Sequence, residues 1–265
     1  MTRDVVSVLQ RAAWVLDSFP RGAALTLAEV ATRTGLPRST THRLLVDLTE
    51  LGWLTRRDNT FELGLTLFEL GERVGLKHRL RSAALPFMQD LFAVTGQTVH
   101  LAVRDGADAV YAEKIHGHAA LPFPSQIGGR MPLTCTAVGK ALLAPEDPDV
   151  RARILAGPLR RYTAHSITDP DALARELDAV RRTGVATERE EAALGGCCLA
   201  SPVMSLGTPI AALSVSVPAD SFEPQLLAPA VRTAALALGR VLSRADPQGH
   251  GEHDGVRASP AGRSG

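Results

Sequence analysis

An α+β fold in sequential parts is what this sequence predicts, and three observations predict it. Residues up to about 75 set apolar side chains three and four apart in short runs, the spacing of helices, and close on a polar hairpin turn. Further along, runs rich in β-branched residues alternate with helical runs, so strands and helices share one larger part. From Asp246 onward the chain is Gly, Pro and polar residues with almost nothing to bury, and reads as a disordered tail.

Composition sets the bounds. A length of 265 residues suits one large domain or two small ones. At 45% hydrophobic and 22% charged, the chain can bury a core without disulfide or metal staples. Its 29 basic and 28 acidic residues leave +1, so any basic surface has to be local. Aromatics at 4% argue against a stacking platform for single-stranded nucleic acid. Cys135, Cys197 and Cys198 fit no secreted disulfide framework. The start, MTRDVVSVLQRAAWVLDSF, lacks the apolar core of a signal peptide, so a cytoplasmic location is expected. Ala192 to Ala219 carries no charge and is long enough to span a bilayer, but Pro202, Gly207, Pro209 and Pro218 would break a helix there. Two buried strands joined by a turn at Ser205–Thr208 are expected instead, and no membrane partner.

The elements follow in order. Val5, Leu9, Ala12, Leu16 and Phe19 give a first helix one apolar face, ended by Pro20 and Gly22. Thr26 and Glu29 form a capping box for a second helix, which stops at Gly35. Pro37 suits the first position of a third helix, with Thr41, Leu44, Leu45, Leu48 and Leu51 inward. Arg38, Ser39, Thr40, His42 and Arg43 then lie along its outer N-terminal face. A hairpin turning at Asp58-Asn59 follows, carrying Arg56 and Arg57. Two helices joined by a short Gly turn, then a hairpin, make a winged helix-turn-helix, whose third helix suits the major groove of double-stranded DNA. From Arg33 to Arg57 the local charge is +3, and Arg56 and Arg57 on the wing suit the phosphate backbone or minor groove. A helical connector is expected from Thr66 through Arg81, running into a helix that ends near Thr95. Strands are expected at 98–103, 109–115, 185–189, 198–204 and 209–217, and helices at 136–144, 147–156, 170–183 and 223–243, an α+β or α/β arrangement.

The residues SVLQRAAWVLD, TLAEVATRTGLPRSTTHRLLVDLTELGWL and FELG, followed by GGRMPLTCTAVGKALLA, EREEAALGGCCLASPV and PIAALSVSVP, resemble the IclR-type transcriptional regulators, up to about Arg244. The resemblance implies a DNA-binding domain over 1–65, a linker helix over 66–82 and a GAF-like effector-binding domain with a central antiparallel sheet over 83–245, before the tail at 246–265. It implies a homodimer or dimer of dimers that binds an operator, more often as a repressor, and changes affinity when a small metabolite binds. Thr41 stands where the family usually has an apolar β-branched residue, a nearly isosteric change. Gly196 and Ser201 are smaller and more polar than the residues common there.

Read from the residues alone, the small side chains of Thr134–Lys140 leave the amides of Ala137 and Val138 open at a helix start, which suits a carboxylate. Ser214 and Ser216 alternate with apolar residues and share one strand face, Cys198 can present its thiol from the neighbouring strand, and Glu188 precedes it. The resemblance carries Ala137, Val138, Glu188, Cys198, Ser214 and Ser216 over as effector contacts, and Leu121, Phe123, Ile127 and Met131 as an apolar lid. The backbone amide of Glu188, rather than its carboxylate, is expected to face an anionic effector. By itself the run Glu188, Glu190 and Glu191 reads as a solvated turn, with Lys140 paired to one of these acids or exposed. The alternative class is a thiol- or zinc-dependent enzyme using Cys135, Cys197 and Cys198 with His100, His116 or His118. Adjacent cysteines on a strand point to opposite faces, and no C-x-x-C or H-E-x-x-H occurs. No catalytic residue, metal or cofactor is therefore expected.

Overall fold

The computed structural model describes residues 6–119 and 125–245, apart from the side chains of 75–78. The chain divides into two compact units, Met1–His78 and Arg79–Gly265. The tail from 246, the lid residues Leu121 and Phe123, and Val5 of the first helix lie outside the described residues.

The smaller unit runs α1 (Val8–Asp17), β1 (Leu25–Thr26), α2 (Leu27–Thr34), α3 (Arg38–Glu50), β2 (Leu54–Arg57), β3 (Thr60–Leu63) and α4 (Leu65–Glu72). A capping box between Ser7 and Gln10, passed over in the sequence, opens α1. The helix meets the core along its last two turns, through Ala12, Val15, Leu16 and Phe19. Leu9, expected on that face, is 78% exposed, and Trp14 is half-buried. The Thr26–Glu29 box opens α2, with the Glu29 amide donating to Thr26 Oγ1 at 3.3 Å and the carboxylate taking the Thr26 amide at 2.7 Å. Gly35 ends it in the left-handed region at φ +67°. On α3, Thr41, Leu44, Leu45 and Leu48 are buried as expected, while Leu51, beyond the last turn, is 60% exposed. The three-stranded sheet has the order β1-β3-β2, so the wing hairpin gains the two-residue β1 as a third strand.

The connector is not one helix. Arg73 and Val74 donate to the carbonyls three residues back, Leu70 and Gly71, which tightens the chain and separates α4 from α5 (Gly75–Thr95).

The larger unit continues with β4 (Thr98–Asp105), β5 (Asp108–Ile115), β6 (Arg130–Pro132), α6 (Ala137–Leu143), α7 (Pro148–Leu155), α8 (Pro170–Thr183), β7 (Ala186–Arg189), β8 (Gly196–Ser205), β9 (Thr208–Pro218) and α9 (Pro224–Ala245). Its strands form one antiparallel sheet in the order β6-β5-β4-β9-β8-β7, which makes the unit α+β rather than α/β. The uncharged stretch Ala192–Ala219 is the β8–β9 hairpin and its approach, as expected. Period-two alternation sorts the two faces. Val99, Leu101, Leu199, Leu213 and Val215 pack under α5 and α9. Ala102, Tyr111, Ala200 and Ala212 pack under α6 and α8. By length and composition α9 is apolar enough to cross a membrane, yet it seats Val231, Ala235, Leu238 and Gly239 in the core, with contacts to β8 and β9.

Candidate functional site

Two surfaces carry the functional residues, one in each unit. In the smaller unit the inward turn of α3 fixes what faces out. With Thr41 and Leu44 in the core, Arg38, Ser39, His42 and Arg43 are exposed and Thr40 is half-buried. Pro37 caps the helix one place earlier than expected, and no side chain caps the first-turn amides. Arg56 and Arg57 are exposed on β2. Arg56 donates to the carbonyl of Asp58 at 3.0 Å and lies over the Phe61 ring. Arg57 pairs with Glu62 at 3.4 Å.

In the larger unit the sheet face under α6 closes on a polar cavity. Strand register builds it: Ser214 stands opposite His100 on β4, and Ser216 opposite Cys198 on β8. Glu188 on β7 is the next partner across, opposite Cys198. Ala137 and Val138 close the cavity from the start of α6, Met131 from β6 and Tyr111 from β5. The cavity measures about 10 Å³, room for roughly one water. Ile127 is exposed and outside the cavity wall, contrary to its expected place in the lid.

The Thr136 hydroxyl caps α6 by accepting from Gly139 at 3.1 Å, and the amides of Ala137 and Val138 have no acceptor among the described residues. Gly139 is required here, since a Cβ would sit 2.4 Å from the Cα and the carbonyl oxygen of Leu133.

Glu188 corrects the sequence reading. It is 1% exposed, its carboxylate lines the cavity, and its Oε1 accepts the amides of Glu191 and Ala192. Burial pushes its carboxyl up to about 7, with those two amides pulling the other way. Nor is the acidic run a solvated turn. Lys140, fully buried, donates to Glu176 at 2.7 Å, to Glu191 at 2.6 Å and to the Thr187 carbonyl at 3.2 Å. Thr163 and Ser166 hold the carbonyls of Glu190 and Glu191. Glu188 and Glu191 are buried while one lysine and two hydroxyls from distant elements bind the run, although Glu191 Oε2 has no partner among the described residues.

His100 is the residue sequence reasoning missed in this role, having been weighed only as a metal or catalytic candidate. Its Nε2 lies 2.8 Å from Ser125 Oγ, and its Nδ1 lies 3.4 Å from Ser216 Oγ. Burial, with Lys114 and His116 nearby, pushes its pKa down to about 3, so the ring is neutral. Tyr111, tilted against that ring, was missed as well, and burial pushes its phenol far up. The alternation of Thr98, His100 and Ala102 marks their face in the sequence, but only strand register shows what they meet. Burial is the first cause raising all three thiols, Cys135 to about 12, so none is poised as a thiolate nucleophile. Among the described residues no cluster of three metal-ligating side chains forms.

A winged helix-turn-helix with a basic outer face, followed by a six-stranded domain closed on a polar cavity, defines a DNA-binding transcriptional regulator with a ligand-binding domain. Residues 8–58 match the IclR helix-turn-helix domain, and residues 74–240 match the family described as bacterial transcriptional regulator IclR C-terminal. The chain belongs to the IclR family. It is 35% identical to the HTH-type transcriptional regulator KdgR of Escherichia coli K12 over 228 residues, covering 84% of this chain and 87% of that one. It is 30% identical to the HTH-type transcriptional repressor AllR of the same strain, over 75% of each chain. Among solved structures it resembles an IclR homolog from Microbacterium hydrocarbonoxydans complexed with 4-hydroxybenzoate, with TM-score 0.82 and 32% identity, covering 90% of this chain and all of the other.

Proposed function

We propose that this chain is a cytoplasmic repressor that holds operator DNA through α3 and the wing, and that a small carboxylate in the larger unit changes that hold. One observation carries the effector reading. The amides of Ala137 and Val138 open at the cavity wall with no acceptor among the described residues, beside the side chains of Ser214, Ser216 and Tyr111. Donors facing one space suit a ligand that carries acceptors.

The donors suit a carboxylate, which enters by widening a cavity that now has room for roughly one water. The amides of Ala137 and Val138 and the hydroxyls of Ser214 and Ser216 converge, and Cys198 adds a thiol 3.0 Å from Ser216. Met131 offers apolar cover, with Leu121 and Phe123 the expected remainder of the lid. The 4-hydroxybenzoate named with the similar Microbacterium structure belongs to the expected class. Regulation requires that the ligand bind the DNA-competent and incompetent states unequally. On the DNA side, Arg38, Ser39, Thr40, His42 and Arg43 are the proposed groove contacts and Arg56 and Arg57 the phosphate contacts.

The test is fluorescence anisotropy with DNA from the region upstream of the chain's own gene, titrated with small organic acids including 4-hydroxybenzoate. An effector shifts operator affinity in the parent. The double variant Ser214→Ala, Ser216→Ala binds DNA normally without ligand and loses the shift. A parental response in the double variant overturns this pocket assignment.

A further inference from the structure

The polar groups of the cavity stand in a row from Lys114 toward Glu188. Lys114 Nζ donates to the carbonyl and the hydroxyl of Ser125, at 2.9 and 3.1 Å. The Ser125 hydroxyl meets His100 Nε2 at 2.8 Å. On the other side of the ring, Nδ1 meets Ser216 Oγ at 3.4 Å. Ser216 meets Cys198 at 3.0 Å, and Cys198 stands opposite Glu188 across β7 and β8, close enough for the carboxylate to raise the thiol's pKa. The row runs from a cation at one end to a carboxyl at the other, and the last donors before Glu188 are the groups an incoming anion needs.

Among the described residues no cation stands in the cavity wall. On β4, His100 is neutral; on β5, Lys114 is committed to Ser125 and Tyr111 keeps its proton. His116, just beyond β5, is near enough to help lower the His100 pKa. Before α6, Cys135 stays a thiol, and on β8 so does Cys198. Lys140 of α6 is committed to Glu176 of α8 and to Glu191, and Arg189 of β7 lies over the Phe222 ring at 4.5 Å.

We propose that the site takes its carboxylate together with one proton, and that Glu188 holds that proton. The inference rests on the carboxylate reading above. An anion on Ser216 and Cys198 adds a second negative charge beside Glu188, in a buried wall without a cation among the described residues. Two carboxylates cannot both stay ionised in such a place. Glu188 takes a proton from the solvent, breaking one O–H bond of water and forming one on the carboxyl; the buffer's acid form neutralises the hydroxide left behind, and Glu188 donates its new proton in a hydrogen bond to the ligand carboxylate. Nothing is oxidised or reduced. Glu188 is then specificity-determining: it favours an acceptor at that position and makes binding depend on pH. With its free carboxyl near 7, Glu188 is already protonated in mild acid, and binding there takes up nothing. Above that value each bound carboxylate draws a proton, and affinity falls by up to about tenfold per pH unit.

The experiment is titration calorimetry of the full-length protein with acetate, benzoate and 4-hydroxybenzoate, in two buffers of different ionisation enthalpy. Proton uptake per ligand should rise from near zero at about pH 5.5 to about one at about pH 8.5. Glu188→Gln keeps an oxygen for the two amides and offers an N–H to the ligand. It should bind the same acids with no uptake and a Kd independent of pH. Uptake absent in the parent, or unchanged in Glu188→Gln, overturns this inference and leaves the carboxylate reading standing. Failure of all three acids to bind at any pH overturns both. Should Glu188→Gln not fold, carbon NMR of the parent decides. Saturating acid at about pH 8 should move the Glu188 carboxyl resonance to its protonated position, and an unmoved resonance overturns the inference.

Discussion

Arg43 and Arg57 show how similar side chains come to different jobs. Arg43 projects from the outer face of α3 with no partner to hold it, whereas Arg57 is tied across the wing to Glu62 at 3.4 Å. A group that reads a base and a group that holds a phosphate leave different signatures. Arg43→Ala should weaken specific operator binding by about 1–3 kcal/mol while binding to unrelated DNA changes little. Arg57→Ala should weaken all sequences alike and reduce the salt slope by about 1. Filter binding or anisotropy over a range of salt separates them, and identical behaviour of the two variants would refute the division of roles. Lys140 makes the contrary point. In the sequence it is an unremarkable helix lysine beside an acidic run, and nothing local reveals that it is fully buried among Glu176, Glu191 and a carbonyl. Its partners lie 36 to 51 residues away, beyond the reach of any local pattern.

Among the elements α6 is the most constrained. All its residues from Ala137 to Leu143 are buried, and its cap faces the cavity. Gly139 lets the helix approach Leu133 so closely that a methyl group cannot fit without backbone movement. Gly139→Ala should therefore destabilise the larger unit by about 1–3 kcal/mol, the cost of overpacking, measured by urea melts. A variant as stable as the parent would show that the approach of α6 to Leu133 is not tight. Elements with clean periodicity were legible in the sequence. The helix Pro170–Thr183 has the bounds expected, because Asp169 caps one end and Gly184 the other. On the first helix Ala12, Leu16 and Phe19 of the expected face pack in the core while Leu9 does not, since apolar spacing does not say which turns touch the core. Strands β1 and β6, two and three residues long, are too short to carry a pattern and exist through their neighbours.

For the whole molecule the open question is assembly. A single recognition helix covers only a few base pairs, so a two-fold dimer on a palindrome is the economical reader. The smaller unit leaves Val8, Leu9, Leu65 and Phe68 exposed, an apolar surface that a second copy can cover. Sedimentation velocity at micromolar concentration should show a dimer or a dimer of dimers, and a monomer would defeat this reading. Leu9→Lys with Phe68→Lys should shift the distribution toward monomer if that surface is the contact.

The sequence by itself determined the order of parts, the helix-turn-helix with its basic outer face, and most strands of the larger unit. These follow from short-range rules: capping, glycine ends, and periods of two and 3.6 residues. It also placed Ser214, Ser216 and Cys198 on one side, because alternation along a strand is local. Tertiary structure alone decided that His100 and Tyr111 join them. That grouping depends on strands paired across more than a hundred residues, as with His100 and Ser214. The inward turn of the Glu188 carboxylate has both causes, local and tertiary. The amides of Glu191 and Ala192 that it accepts are local, but the wall that buries it forms only once β8, β9 and α6 have closed beside β7.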